Sequence, residues 1–327
     1  MPSQMKLSLP VQDLLRCPIC KAKLERLNEE FLCANSQCSA YFPIIDGIPV
    51  LINENTSVFS IDDFVSRKNT TLNLRTESGI KKILRQVVPS IGGKAVSKNI
   101  KGKRNYEKLA NLLAGQSKAP KVLVVGGSIA GHGMESLLAS PSIEFVESDV
   151  SFGPRTTLIC DAHDIPFEDG SFDAVIVQAV LEHVVDPYRC VEEIHRVLND
   201  RGLVYAETPF MSQVHMGRYD FTRFTHLGHR RLFRKFEEID SGPVCGPGMA
   251  LAWSYQYFLM SFTKSKVLRK LILAFANLTS FYLKYFDYYL IDKAGAFDSA
   301  FGFYFLGKKS DRILSDRELL TLYRGAL

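Results

Sequence analysis

Short apolar runs separated by small polar turns recur between residues 121 and 210, at lengths that suit strands better than helices. Lys121-Val122-Leu123-Val124-Val125 is apolar on consecutive positions and rich in β-branched residues, as a strand buried on both faces is. A glycine-rich turn from Gly126 to Gly133 follows at once, and 134–138 can open a helix. Further strands are predicted at 143–147, 157–160, 174–177 and 203–208, with an amphipathic helix over 193–198 that stops at Asn199-Asp200-Arg201-Gly202. Only twelve positions separate Asp149 from Asp161. A whole crossover with its helix needs at least about 10–12 residues, so a loop or one helical turn is expected there.

A strand, a glycine-rich turn and a helix in succession bring backbone amides and a helix N-terminus close to a ligand. Glycine allows that approach because it has no Cβ to collide. Asp149 lies 23 positions after Gly126, with Glu147 as the neighbouring alternative. A carboxylate about 20 residues beyond such a turn is where a ribose diol is held. His183 falls past the carboxyl end of the fourth strand, the edge where ligands gather in open α/β sheets. It either orients a substrate and takes its proton or is a packing histidine tied to backbone.

The run DAHDIPFEDGSFDAVIVQAVLEHVVDP, with EIHRVLNDRGLVYAETPF, resembles the S-adenosylmethionine-dependent methyltransferases of class I, in particular their small type 11 group. The resemblance covers residues 121–210. It implies a Rossmann-like, seven-stranded α/β sheet with helices on both faces and a last strand at 301–307 that enters antiparallel. It further implies that Gly126, Gly127, Ser128 and Gly131 approach the methionine part of the cofactor and that Asp149 accepts the ribose hydroxyls. Asp161 would accept from the adenine amino group, an amide of Ala162 or His163 would face a ring nitrogen, and Gln178 would close the pocket. The turn departs from Gly-x-Gly-x-Gly, since Ser128 stands where a second glycine is common. Beyond Pro209 the stretch from His215 to His226 is similar to a segment of type 11 enzymes associated with surface glycans and natural products. It places His215 and Asp220 as a base and its orienter, and Tyr219, Arg223 and His226 on the substrate side. A surface loop leading into a helix at 228–236 is the plainer reading of the same stretch.

Composition adds two modules. With 46% hydrophobic residues over 327 positions, the chain holds a full core and room for a smaller unit. Four of the seven cysteines, Cys17, Cys20, Cys33 and Cys38, form two close pairs within 22 residues. Two such knuckles complete a tetrahedron of thiolates around Zn²⁺, which leaves no open position and makes the metal structural. The following segment, 41–51, resembles the end of small zinc-ribbon proteins that activate methyltransferases. Residues 1–16 show no apolar core, so no signal peptide and a cytoplasmic location are expected. Between Ser66 and Lys121 fourteen Lys or Arg face two acids, a segment suited either to an anionic partner or to a solvated linker. A helix at 80–88 within it would cover the cofactor.

These readings divide the chain into a zinc ribbon at 1–55, a basic linker at 56–118 and a methyltransferase domain at 119–327, with a helical insertion or lid at 209–295. Residues 249–291 are apolar but broken by Lys284 and Asp287, which predicts two helices that lid the site or lie on a membrane surface. The expected function is methyl transfer from S-adenosylmethionine to a small-molecule, sugar or glycan-lipid acceptor, at oxygen. An RNA methyltransferase using the ribbon and basic tract is the alternative, and a non-catalytic cofactor-binding scaffold is a third.

Overall fold

The computed structural model describes residues 4–68, 70–71 and 97–326. The predicted helix at 80–88 and part of the basic segment, residues 69 and 72–96, lie outside the described residues.

Eleven strands form one continuous sheet: β1 (Leu24–Leu27), β2 (Glu30–Cys33), β3 (Tyr41–Ile45), β4 (Ile48–Leu51), β5 (Lys121–Val125), β6 (Glu144–Asp149), β7 (Leu158–Cys160), β8 (Phe172–Gln178), β9 (Leu198–Pro209), β10 (Phe236–Cys245) and β11 (Gly302–Lys309). Their spatial order is β1-β2-β3-β4-β7-β6-β5-β8-β9-β11-β10. From β7 through β9 the strands run parallel, and β11 enters antiparallel between β9 and β10. The expected seven-stranded sheet is thus present from β7 to β10, but it is not the whole sheet. The cysteine-bearing module does not simply precede it. Its β4 pairs parallel with β7, Val50 with Ile159 and Leu51 with Cys160, and so extends the sheet by four strands. Pairing with β4 covers the edge that β7 would otherwise expose. The β3–β4 hairpin turns at Asp46-Gly47, both at positive φ (53° and 74°), which suits the twist of flanking strands.

Alternation within the central strands separates two cores. Leu123, Val125, Val175, Val177, Val204 and Ala206 pack on one face with the helix Pro187–Val197. On the other face Val122, Val124, Ala174, Ile176, Leu203 and Tyr205 meet the helix Gly102–Gln116. Each buried aliphatic side chain of this kind contributes roughly 1.5–3 kcal/mol. The Pro187–Val197 helix starts where Asp186 accepts from the Arg189 amide and Pro187 takes the first turn, whose amide has no partner to lose. Between β6 and β7, residues 150–157 form a loop without a helix, one of the two forms that the short spacing predicts.

Residues 247–299 fold into four helices, Pro247–Met260, Lys266–Ser280, Leu283–Leu290 and Ala294–Ser299; the segment 249–291, predicted to hold two helices, holds the first three. Asp287, 1% exposed, accepts from the amides of Gly248 (2.6 Å) and Met249 (2.9 Å) and locks the third helix to the start of the first. No helix among the described residues is long and apolar enough to cross a membrane.

Candidate functional site

The two cysteine knuckles are shaped by residues in the left-handed region, Lys21 (φ 61°) and Ser39 (φ 47°), each following its second cysteine. They bring Cys17 Sγ to 3.9 Å from Cys38 Sγ and Cys20 Sγ to 3.4 Å from Cys33 Sγ. All four sulfurs lie within 4.8 Å of one another. A tetrahedral ion with metal–sulfur bonds near 2.3 Å holds its thiolates about 3.8 Å apart, so the quartet fits zinc. Burial opposes ionisation of Cys20, but the Ala22 amide and the neighbouring sulfurs outweigh it and lower that thiol to about 7.

At the carboxyl tips of β5 and β6, Gly126 turns the chain at φ 76° and the Ser128 amide donates to Asp149 Oδ2 at 3.1 Å. A Cβ on Gly127 would stand 3.1 Å from the Glu147 Cβ and from the Val124 carbonyl oxygen, so the turn is packed as closely as glycine allows. The two candidate acids differ in partners. Glu147 is ion-paired with Arg155. Asp149 is 8% exposed, and burial raises its carboxyl above the usual range despite the Ser128 donor. That leaves Asp149 with unused acceptor capacity, and the Ser128 hydroxyl beside it is buried with no partner among the described residues. Both are what an added diol or ammonium would satisfy, so the crevice fits a nucleoside cofactor.

Asp161, at the tip of β7, is 5% exposed and accepts from the His163 amide (3.0 Å), His163 Nδ1 (2.5 Å) and the Ser57 hydroxyl (2.5 Å). His163 Nε2 in turn accepts from the Asp186 amide at 3.0 Å, so the ring proton sits on Nδ1. Burial would raise the Asp161 carboxyl, but His163 overrides it and holds it below the usual range. Ala162 is buried beside it. Gln178 is fixed at both ends: its Oε1 accepts from the Tyr106 hydroxyl (3.1 Å), and its Nε2 donates to Glu207 Oε2 (2.8 Å) and the His132 carbonyl (3.3 Å). Gly131 faces this amide directly, since a Cβ there would lie 1.8 Å from Gln178 Oε1. Glu207, Asn99, Tyr106 and Tyr205 in this network escaped the sequence reading. The one available signal was an acid ending the apolar run of β9.

The structure brings His183 and His215 together at a residue that was not singled out, Glu182, with Asp220 held against His215. The Nε2 atoms of His183 and His215 each lie 3.6 Å from Glu182 Oε1, and the two rings meet edge to face at 4.7 Å. Burial lowers the His183 imidazole, whereas at His215 the adjoining Glu182 outweighs burial and raises it. Asp220 accepts from the His215 amide (2.8 Å) and pairs with Arg223, which also donates to the Ser212 and Gln213 carbonyls at 3.0 Å. Arg223 is therefore fully engaged in shaping the loop. Tyr219 stacks on Phe59 at 5.6 Å and, with Val58, Thr70 and Arg218, lines a cavity of about 350 Å³ between the segment after the cysteine module and the loop. His226 does not join the cluster. The helix His226–Leu232 begins at that residue and turns it inward, where it meets Ser241 (3.4 Å), Phe297 and Phe303. His195 packs on Phe236 and faces the Ser310 carbonyl at 3.3 Å.

Residues 133–206 match the sequence family described as "Methyltransferase domain". The chain is 29% identical over 99 residues to a demethylmenaquinone methyltransferase of Clavibacter sepedonicus, covering 30% of this chain and 39% of that protein. It is 38% identical over 52 residues to the ubiquinone/menaquinone biosynthesis C-methyltransferase UbiE of Citrifermentans bemidjiense, covering 16% and 22%. The match thus spans well under half the length of either relative. Among solved structures, a sarcosine dimethylglycine methyltransferase from Galdieria sulphuraria aligns with a TM-score of 0.41 at 16% identity, covering 64% of this chain and 87% of that one. With strands β7 to β10 in the order given above and a methyltransferase-domain match across their centre, the core of this chain is an α/β methyltransferase fold.

Proposed function

We propose that the chain transfers a methyl group from S-adenosylmethionine to an oxygen of a lipid-linked or membrane-borne small molecule. The observation that carries the cofactor assignment is the pairing of a glycine turn with two buried acids, Asp149 and Asp161, at neighbouring strand tips. Asp149 would accept from the ribose hydroxyls, Asp161 from the adenine amino group, and the turn's amides would approach the methionine part. When bound, the cofactor supplies a methyl group already activated by the sulfonium charge. The chain's own residues then align the acceptor and exclude water, an effect worth roughly 7–11 kcal/mol when orientation is good. The Glu182–His183–His215 cluster would stand where an acceptor hydroxyl loses its proton.

The acceptor assignment rests on the helices of 247–290. Phe258, Phe262, Leu271, Phe275, Leu278 and Phe286 are each more than half exposed, with Lys264, Lys266, Arg269 and Lys270 beside them. Such a surface exceeds the scattered apolar residues of an ordinary exterior and matches a helical face that lies in a lipid interface. It is tied to the acceptor cluster through Tyr257, whose hydroxyl donates to the Val214 carbonyl (3.1 Å), and through Gln213, which donates to the Ser254 hydroxyl (3.0 Å). The test is incubation of the purified chain with methyl-labelled cofactor and a membrane fraction. Label in the organic extract is expected; label confined to RNA or protein, or none transferred, contradicts the reading.

A further inference from the structure

Glu182 stands out by its burial. It is 1% exposed, and neither carboxylate oxygen accepts a hydrogen bond from any described residue. A buried carboxylate without donors carries the full cost of its lost hydration, so such a group is retained where something else satisfies it.

Two imidazoles face it. The Nε2 of His183 and the Nε2 of His215 both lie 3.6 Å from Glu182 Oε1, beyond hydrogen-bond reach. The far nitrogen of each ring is directed at backbone, His183 Nδ1 to the Tyr219 carbonyl at 2.8 Å and His215 Nδ1 to the Gln213 carbonyl at 3.3 Å. A carbonyl only accepts, so each proton resides on Nδ1 and each Nε2 presents a lone pair. With both rings neutral, two lone pairs and a carboxylate oxygen converge on one point. Metal-ligating histidines are held in this way, the outer N–H fixing the tautomer and the ring orientation.

The spacing agrees. The three ligand atoms lie within 4.8 Å of one another. An ion with bonds of about 2.0–2.2 Å keeps tetrahedral neighbours about 3.4 Å apart, close to the separations seen here. Two imidazoles and one carboxylate leave a position open, in contrast to the closed cysteine quartet.

We propose that Glu182, His183 and His215 bind a divalent first-row transition ion of the zinc class at the acceptor side of the crevice. Binding itself does not depend on the methyl-transfer reading. The ion's task does: its open position would take the acceptor oxygen and ease loss of the hydroxyl proton, as divalent ions do for bound water.

The full chain, its cysteine quartet filled with zinc, is titrated with Zn²⁺ and with Co²⁺, and bound metal is counted by elemental analysis. One equivalent beyond the cysteine site is expected. Glu182→Gln and the more exposed His215→Ala should each weaken that second equivalent by on the order of 100-fold while leaving the first in place. A wild-type chain that takes up only the cysteine-bound ion overturns the proposal, as do folded variants that bind the second ion like wild type. Cofactor binding measured on the same samples keeps the two readings apart. Cofactor bound without a second ion overturns this proposal alone, and a second ion bound without cofactor overturns methyl transfer alone.

Discussion

The Ser57 hydroxyl donates to Asp161 Oδ2 at 2.5 Å, across 104 positions of sequence. This contact joins the cysteine module to the strand tip that would hold adenine. It is not isolated, because Asn53 and Thr56 donate to Asp164 at 3.2 and 2.6 Å, and β4 lies in register on β7 just below. A metal held by the four cysteines would therefore brace one wall of the crevice. Chelation of the zinc, or Cys17→Ser with Cys20→Ser, is expected to lower the thermal midpoint and the cofactor affinity together. Calorimetric titration before and after chelation checks it; unchanged affinity in a metal-free chain would show that the module is only an attachment.

Gly131 is expected to be intolerant of the smallest side chain. A Cβ there would sit 1.8 Å from Gln178 Oε1 and 3.0 Å from Met134 Sδ. Gly131→Ala must displace an amide that Tyr106 and Glu207 hold in place, at a cost of about 1–3 kcal/mol typical of overpacking. Thermal unfolding should show that loss, with cofactor affinity falling more than for Gly115→Ala, where an added Cβ meets nothing within 4 Å.

Acid should destabilise the fold through two buried histidines. Burial is the first cause that pushes His226 down to about 4 and His229 down to about 3, with neighbouring arginines adding to it. Unfolded, both titrate near 6.5. Between those values the unfolded chain binds more protons, so stability falls as pH drops from about 6.5 toward 4, by roughly 3 kcal/mol for His226. Urea unfolding at several pH values should show this slope, and His226→Asn with His229→Gln should flatten it.

The apolar helical face should bind lipid. Leu271→Glu with Phe275→Glu places two charges on exposed positions, so stability should change little. Binding to anionic vesicles should drop about 10-fold or more in flotation assays, since partition scales with buried apolar area. Equal flotation of the double variant would remove the basis for a membrane-borne acceptor.

The parallel strands and the positions of the two crevice acids were legible because their signals are local: β-branched runs, a glycine turn, acids at strand ends. The cysteine spacing likewise announced a four-sulfur site. The addition of β4 to β7 was not legible, because a parallel pairing between residues about a hundred positions apart leaves no local trace. Glu182 was hidden by its neighbour: in Leu181-Glu182-His183 the histidine draws attention, whereas burial makes the glutamate the centre of the cluster. His226 shared a polar stretch with His215, but helix formation from that residue turned it into the core. The reading of 249–291 as a lid or a membrane-surface pair of helices left open which faces stay uncovered, because burial of a helix face is decided by partners distant in sequence.

The account stands on Asp149 as the acceptor of a nucleoside diol. Its most direct test is calorimetric titration of the wild-type chain and Asp149→Ala with S-adenosylhomocysteine. Two hydrogen bonds to a charged acceptor, at about 1.5 kcal/mol each or more, correspond to a loss of roughly 100-fold. One equivalent bound by wild type and that loss in a folded variant are expected. No binding by the wild-type chain, or equal affinity in the variant, would contradict the assignment.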